Sequence, residues 1–173
     1  MFSCMSVCKI INDLFYSAAY INFDHMNEID PSDMDCSNDT NPNERLLDAA
    51  RDGNEAVVTF FLQCNETYIN VGNHDGKTPL HLASENGHAS VLRILLEQES
   101  VDVNRGDDEG ETPLYAAAKL GYDDMVNILL GHDEVNVNKG RNSDGQAPLH
   151  AASENGHLAV VELGGNSIEK NSA

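Results

Sequence analysis

Residues 76–104 read GKTPLHLASENGHASVLRILLEQESVDVN, and the reading of this stretch decides the fold. Gly76 is a turn residue suited to positive φ. Thr78 follows where a helix N-cap belongs, and Pro79 takes the first helical position, where a missing N–H costs nothing. A short helix then carries the small Ala83 and stops at Gly87. A second helix begins near His88, with Val91, Leu92, Leu95 and Leu96 at spacings of one and three residues that mark one helical face. Val101-Asp102-Val103-Asn104 closes the unit.

The same unit recurs on both sides. Leu46, Leu80, Leu114 and Leu149 are separated by 34, 34 and 35 residues, and Gly53, Gly87, Gly121 and Gly156 keep that register. The flanking copies read NERLLDAARDGNEAVVTFFL from Asn43, GETPLYAAAKLGYDDMVNILL from Gly110 and GQAPLHAASENGHLAVVELGG from Gly145. A fixed period of this length is the mark of a repeat architecture, in which each unit covers the hydrophobic face of its neighbour. Paired small residues (Ala116 and Ala117, Ala151 and Ala152) allow the neighbours to approach closely.

Thr78-Pro79-Leu80-His81, Gly87-His88 and Val101–Asn104 resemble the ankyrin-repeat family, and the resemblance extends over about residues 43–163. It implies an all-α solenoid of about four helix-turn-helix repeats with short β-hairpin fingers. The repeats fall at about 43–74, 75–108, 109–143 and 144–165, the last truncated, within a domain of residues 43–165. It also implies a non-catalytic protein–protein interaction module that meets its partner along the inner helices and the finger tips. Carried onto this chain, the helix positions are Arg51, Asp52, Glu85, Asn86, Lys119, Leu120, Glu154 and Asn155. The finger positions are His74 and Lys77 on the first, Asp107, Asp108, Glu109 and Glu111 on the second, and Arg141 on the third. The second finger is the densest cluster and reads as a run of exposed carboxylates suited to a basic or mixed-charge segment.

The copies depart from the pattern in four places. The first has Glu44-Arg45 in place of Thr-Pro, as a polar cap would. Tyr115 replaces the motif histidine in the third copy, and Ala147 replaces the threonine in the fourth. The fourth outer helix meets Gly164-Gly165 where two apolar residues belong. Glycine costs about 1 kcal/mol relative to alanine inside a helix, so the helix is expected to stop there, and Gly164→Leu to stabilise it. An uncapped fourth repeat also opens a route to self-association.

Outside the array, Val7, Cys8, Ile11, Leu14, Phe15 and Ala18 share one face of a candidate amphipathic helix over residues 1–20. Residues 21–42, rich in acidic side chains and lacking Lys and Arg, read as a disordered linker, and residues 166–173 as a disordered tail. The 29 acidic against 10 basic residues give a net charge of -19, which argues against nucleic acid and anionic membrane surfaces as partners. No apolar run reaches the roughly 18 to 20 residues of a membrane helix, and no secretory core is recognisable, so a cytoplasmic placement is expected, with the nucleus open as well.

His81, His88, His150 and His157 recur with the repeat, which explains them without a metal. Asn70, Asn104 and Asn138 recur likewise, as residues that hydrogen-bond turn backbone. No nucleophile, phosphate loop or paired-carboxylate signature occurs, so neither catalytic residues nor a cofactor are expected. The functional reading is an adaptor or scaffold. The alternatives are a cytoplasmic inhibitor of a transcription factor and a targeting subunit of an enzyme complex such as a ubiquitin ligase or phosphatase.

Overall fold

A computed structural model describes residues 41–63 and 69–170, with side chains to residue 165. Eight helices are present among them: α1 (Pro42–Asp52), α2 (Glu55–Gln63), α3 (Pro79–Glu85), α4 (Ala89–Leu96), α5 (Pro113–Leu120), α6 (Asp123–Leu130), α7 (Pro148–Glu154) and α8 (Leu158–Lys170). They form four antiparallel pairs. The inner helices α1, α3, α5 and α7 pack in series, as do the outer helices α2, α4, α6 and α8. The fold is the expected all-α repeat solenoid. No strand occurs among the described residues, and the described parts of the connections between repeats carry turns. The segment read as an amphipathic helix, and all but the last two residues of the linker, lie outside the described residues.

The sequence explains each start. Thr78 and Thr112 accept a hydrogen bond from the backbone N–H of His81 and Tyr115 at 3.4 and 3.1 Å, with proline next in line. The first helix is capped differently: Asn41 accepts from the Glu44 N–H and Pro42 opens the helix, so α1 starts inside the stretch read as linker. The core lies between the two layers, where Leu46, Leu80, Leu114, Leu92, Leu95 and Leu129 are buried.

The expectation at the C-terminal end fails. α8 runs through Gly164-Gly165 to Lys170, so residues 166–170 are helical where a disordered tail was expected. Gly164 occupies the place of the buried Leu95 and Leu129 of the preceding repeats. It is itself buried, and a Cβ added there would collide with the Leu149 side chain. Leu149 leans into the volume that a leucine fills elsewhere. This glycine is therefore a packing residue, and its replacement by leucine overfills the site.

Candidate protein-binding surface

Three turns line one edge of the array. The first and second are built alike. The Asn73 N–H donates to the Lys77 carbonyl at 3.0 Å, and Asp107 does the same to Glu111 at 3.0 Å. The side chain at the start of each turn accepts two backbone N–H groups, Asn73 from Asp75 and Lys77, and Asp107 from Glu109 and Glu111. The third, Arg141 to Gln146, is one residue longer, and Asp144 accepts the Gln146 N–H. Successive turns are joined edge to edge, Asp108 N–H to Asp75 O at 3.0 Å and Asn142 N–H to Glu109 O at 2.8 Å. The row of turns is thereby held as one rigid edge.

A second tie runs from each turn to its inner helix, always eight residues on. Lys77 pairs with Glu85, Glu111 with Lys119 at 2.9 Å, and Gln146 with Glu154 at 2.8 Å. The polarity reverses between the first two and is half lost in the third. Burial lowers the Lys77 pKa, but the hydrogen bond and charge of Glu85 outweigh it and leave the ammonium above its ordinary value.

The acidic second turn is therefore not four exposed carboxylates. Glu111 is only 5% exposed and lies between Lys119 and Arg141, the latter at 3.6 Å. Asp107 is half-buried and spends an oxygen on the turn backbone. Asp108 and Glu109 alone stand in solvent. Beside them Lys119 and Arg141 lie over the Tyr115 ring, at 6.0 and 5.9 Å from its centre. Arg141 also pairs with Asp144 at 2.6 Å, which holds the Asp144 carboxyl down at about 2 and the guanidinium above its ordinary value.

The remaining predicted positions divide between structure and surface. Asn86 and Asn155 donate to the carbonyls of Leu82 and Ala151 at 2.8 Å and so finish α3 and α7. Arg51 pairs with Asp48 at 2.6 Å, while Asp52 is exposed at the end of α1. His74 is exposed, 3.5 Å from Asp75. Leu120, at the end of α5, is 46% exposed, an apolar side chain where the neighbouring repeats carry asparagine. Sequence reasoning missed the eight-residue ties and the reach of Arg141 to Glu111. The alignment of positions 77, 111 and 146 with 85, 119 and 154 was the signal that could have found the ties.

Beneath this surface, the recurring histidines and asparagines join repeats. His81 Nδ1 accepts the Thr78 N–H at 3.1 Å, and Nε2 donates to the Glu111 carbonyl of the next repeat at 2.9 Å. Burial depresses its pKa. In the third repeat Tyr115 makes the same reach, its hydroxyl donating to Gln146 at 3.2 Å. His88 and His157 donate from Nε2 to the carbonyls of Arg51 and Lys119 in the preceding repeats. The ring of His157 lies on Gly121, whose φ of 74° and missing Cβ admit it. Asn70 and Asn104 each donate to and accept from the backbone of the following repeat, at 2.7 to 2.8 Å.

Among the described residues no group of three or more His, Cys, Asp or Glu is placed to hold a metal, and no helix is long and apolar enough to cross a membrane. No curated protein matches this chain. The family model for ankyrin repeats (3 copies) matches residues 14–107, 46–141 and 101–172. Ankyrin repeats in general bind other proteins and are not catalytic, and with the match spanning most of its length this chain belongs to the ankyrin-repeat family.

Proposed function

We propose that the chain is a non-catalytic adaptor that holds a basic or mixed-charge segment of a protein partner against its turn edge and the adjoining ends of the inner helices. The observation that carries this reading is the pre-organised second turn. Asp107 and Glu111 are consumed in holding it, so Asp108 and Glu109 are presented on a frame that need not be ordered on binding. Leu120 supplies an exposed apolar anchor next in sequence to Lys119, which with Arg141 lies over the Tyr115 ring, and this combination suits a partner of mixed rather than uniform charge. A net charge of -19 steers cationic partners to the surface and repels nucleic acid.

The test begins with a partner captured on the intact chain and identified by mass spectrometry. Its association rate is then measured for the parent and for Asp108→Lys with Glu109→Lys, at low and high salt. Exposed pairs are worth about 0.2–1 kcal/mol each, so the expected loss is in rate and salt dependence more than in equilibrium affinity. An unchanged rate and salt slope would show the acidic turn to be a solvated surface only.

A further inference from the structure

We propose that the edge of the third and fourth repeats opposite the turns is a second docking surface, which takes apolar side chains flanked by Lys or Arg from a protein partner. Leu120, Tyr122 and Leu158 are the large hydrophobic side chains that stand exposed among the described residues, at 46%, 39% and 73%. They fall together. Leu120 and Tyr122 flank Gly121, the His157 ring lies on that glycine, and Leu158 follows His157. The His157 imidazole also donates to the Lys119 carbonyl at 3.1 Å, which ties the two corners to each other. The eight residues of α5, about 12 Å of helix, separate this edge from the turn that carries Glu111.

Position in the array does not account for the exposure. Asp52, Asn86 and Asn155, the equivalents of Leu120, are all exposed, and so are Glu55 and Asp123 at the position of Leu158, with a further repeat beyond each. What changes is the side chain. Asn86 and Asn155 donate to the carbonyls that end their helices at 2.8 Å, and Leu120 forgoes that bond. His88 and His157 reach a carbonyl of the preceding repeat, whereas Tyr122 at the same position lies over Gly87. Glu55 and Asp123 place a carboxylate in the first turn of their outer helices, which the helix dipole favours, and Leu158 gives that up. At three positions on one edge the array thus lacks a stabilising polar group and carries an exposed apolar one. A local rule broken without a gain in packing marks a functional surface.

Charge selects the occupant. The free charges around the patch are carboxylates: Asp123 and Asp124 follow Tyr122, Glu154 lies just before the second corner, and Glu162 stands one turn on from Leu158. Lys119, the cation next to Leu120, is spent on Glu111. Such a rim attracts Lys and Arg. It repels nucleic acid, anionic lipid and a second copy of this chain with its own net charge of -19. An apolar centre with cations around it is the face of a basic amphipathic segment. The proposal deepens the adaptor reading and rests on it, since the chain must bind protein for this edge to take the partner's apolar side chains.

The experiment pans a phage-displayed library of random peptides on the full chain. The affinity of the enriched peptides is then measured for the parent, for Leu120→Asn with Tyr122→His and Leu158→Ala, and for Asp108→Lys with Glu109→Lys. The first variant carries residues that other repeats hold at these positions, so formal charge, the helical circular dichroism spectrum and Tm are retained. Enriched peptides should combine Leu, Ile or Phe with Lys or Arg, and bind the first variant about ten-fold or more weakly than the parent. Peptides weakened only by the turn-edge variant would overturn this edge and leave the adaptor reading standing. Peptides weakened by neither variant, peptides lacking cations or apolar residues, or no enrichment at all would each overturn it too. A lowered Tm in the first variant would show the three side chains to be packing residues and sink the assignment.

Discussion

α3 and α7 are seven-residue helices, PLHLASE and PLHAASE, that differ only at Leu82 and Ala151, yet they live in different environments. His81 and Ser84 are both 0% exposed, whereas His150 and Ser153 face solvent. His81 spans two repeats, holding Thr78 on one side and the Glu111 carbonyl on the other. His150 retains the first half of that role, its Nδ1 accepting the Ala147 N–H at 3.3 Å, and among the described residues no following repeat takes the second. The same residue in the same local fold is a buried joint in one place and a surface side chain in the other. In a solenoid a residue's burial is set by its neighbouring repeat as much as by its own.

The largest expected effect tests this contrast directly. His81→Ala removes a buried side chain and strands the Thr78 N–H and the Glu111 carbonyl, and should cost about 2–4 kcal/mol in urea unfolding. His150→Ala should stay within about 0.5 kcal/mol of the parent. Equal losses would mean that the far repeat contributes nothing to the joint. The two also differ in pH response. Burial, the largest influence, holds the His81 pKa below its ordinary 6.5 despite the Glu111 carbonyl and the Asp107 and Glu85 charges, which raise it. Protonation would also turn Nδ1 into a donor facing the Thr78 N–H. A depressed pKa in the folded chain gives a stability contribution that is full above 6.5 and is lost as pH falls below it. His81→Gln should flatten that slope, and His150→Gln should leave it.

The next effect concerns the outer helix over α7. Gly164→Leu should destabilise the fourth repeat by about 1–3 kcal/mol, because Leu149 already occupies the space. Leu149→Ala added to Gly164→Leu should recover most of the loss, restoring the arrangement of the preceding repeats with the leucine on the outer helix. Stabilisation by Gly164→Leu alone, read as slower amide exchange in α8, would show that the glycine is a defect after all.

The repeat register, the Thr-Pro helix starts and the turn glycines were legible in the sequence because each is a local requirement of backbone or cap. Gly76, Gly110 and Gly145 have φ of 76°, 81° and 70°, as their turn positions require. What was not legible depends on residues that meet only in the fold. Glu111 belongs to a run of carboxylates and so reads as solvated, but Lys119 and Arg141 come from eight and thirty positions away to enclose it. Gly164 reads as a helix breaker because propensity is a local quantity, while the Leu149 side chain that makes glycine fit belongs to another helix. Of the surface residues inferred by resemblance, Asp108, Glu109 and Leu120 face solvent, and Glu85, Asn86, Glu111 and Asn155 are tied into the scaffold.

A smaller effect compares the ties. Lys119→Met leaves Glu111 nearly buried with Arg141 as its remaining ion-pair partner at 3.6 Å. Lys119 is itself close to half exposed, which discounts the pair, so a loss of about 1 kcal/mol is expected. Glu154→Gln, which replaces one polar partner of Gln146 by another at an exposed tie, should change stability by less than about 0.5 kcal/mol. If both substitutions weigh the same, burial of Glu111 does not set the value of its tie.

The smallest effect is a gain. Thr78 and Thr112 cap their helices from 2% exposed positions, whereas Ala147 has no side-chain oxygen and the His150 N–H donates to its backbone carbonyl at 2.9 Å instead. Ala147→Thr should restore the cap at a half-buried site and stabilise α7 by about 0.5–1 kcal/mol. The place where that gain appears depends on how the array opens. Terminal units of a solenoid exchange their amides through local opening, at lower free energy than the central ones. If the fourth repeat opens by itself, the cap should slow exchange in residues 148–154 by about three-fold or more and leave Leu92 to Leu95 unchanged. Slowing of both regions together would show that the array opens as one unit, so that the exposed face of α7 is held as firmly as the buried face of α3. No slowing in α7 would mean that Nδ1 of His150, which already accepts the Ala147 N–H, suffices as the cap.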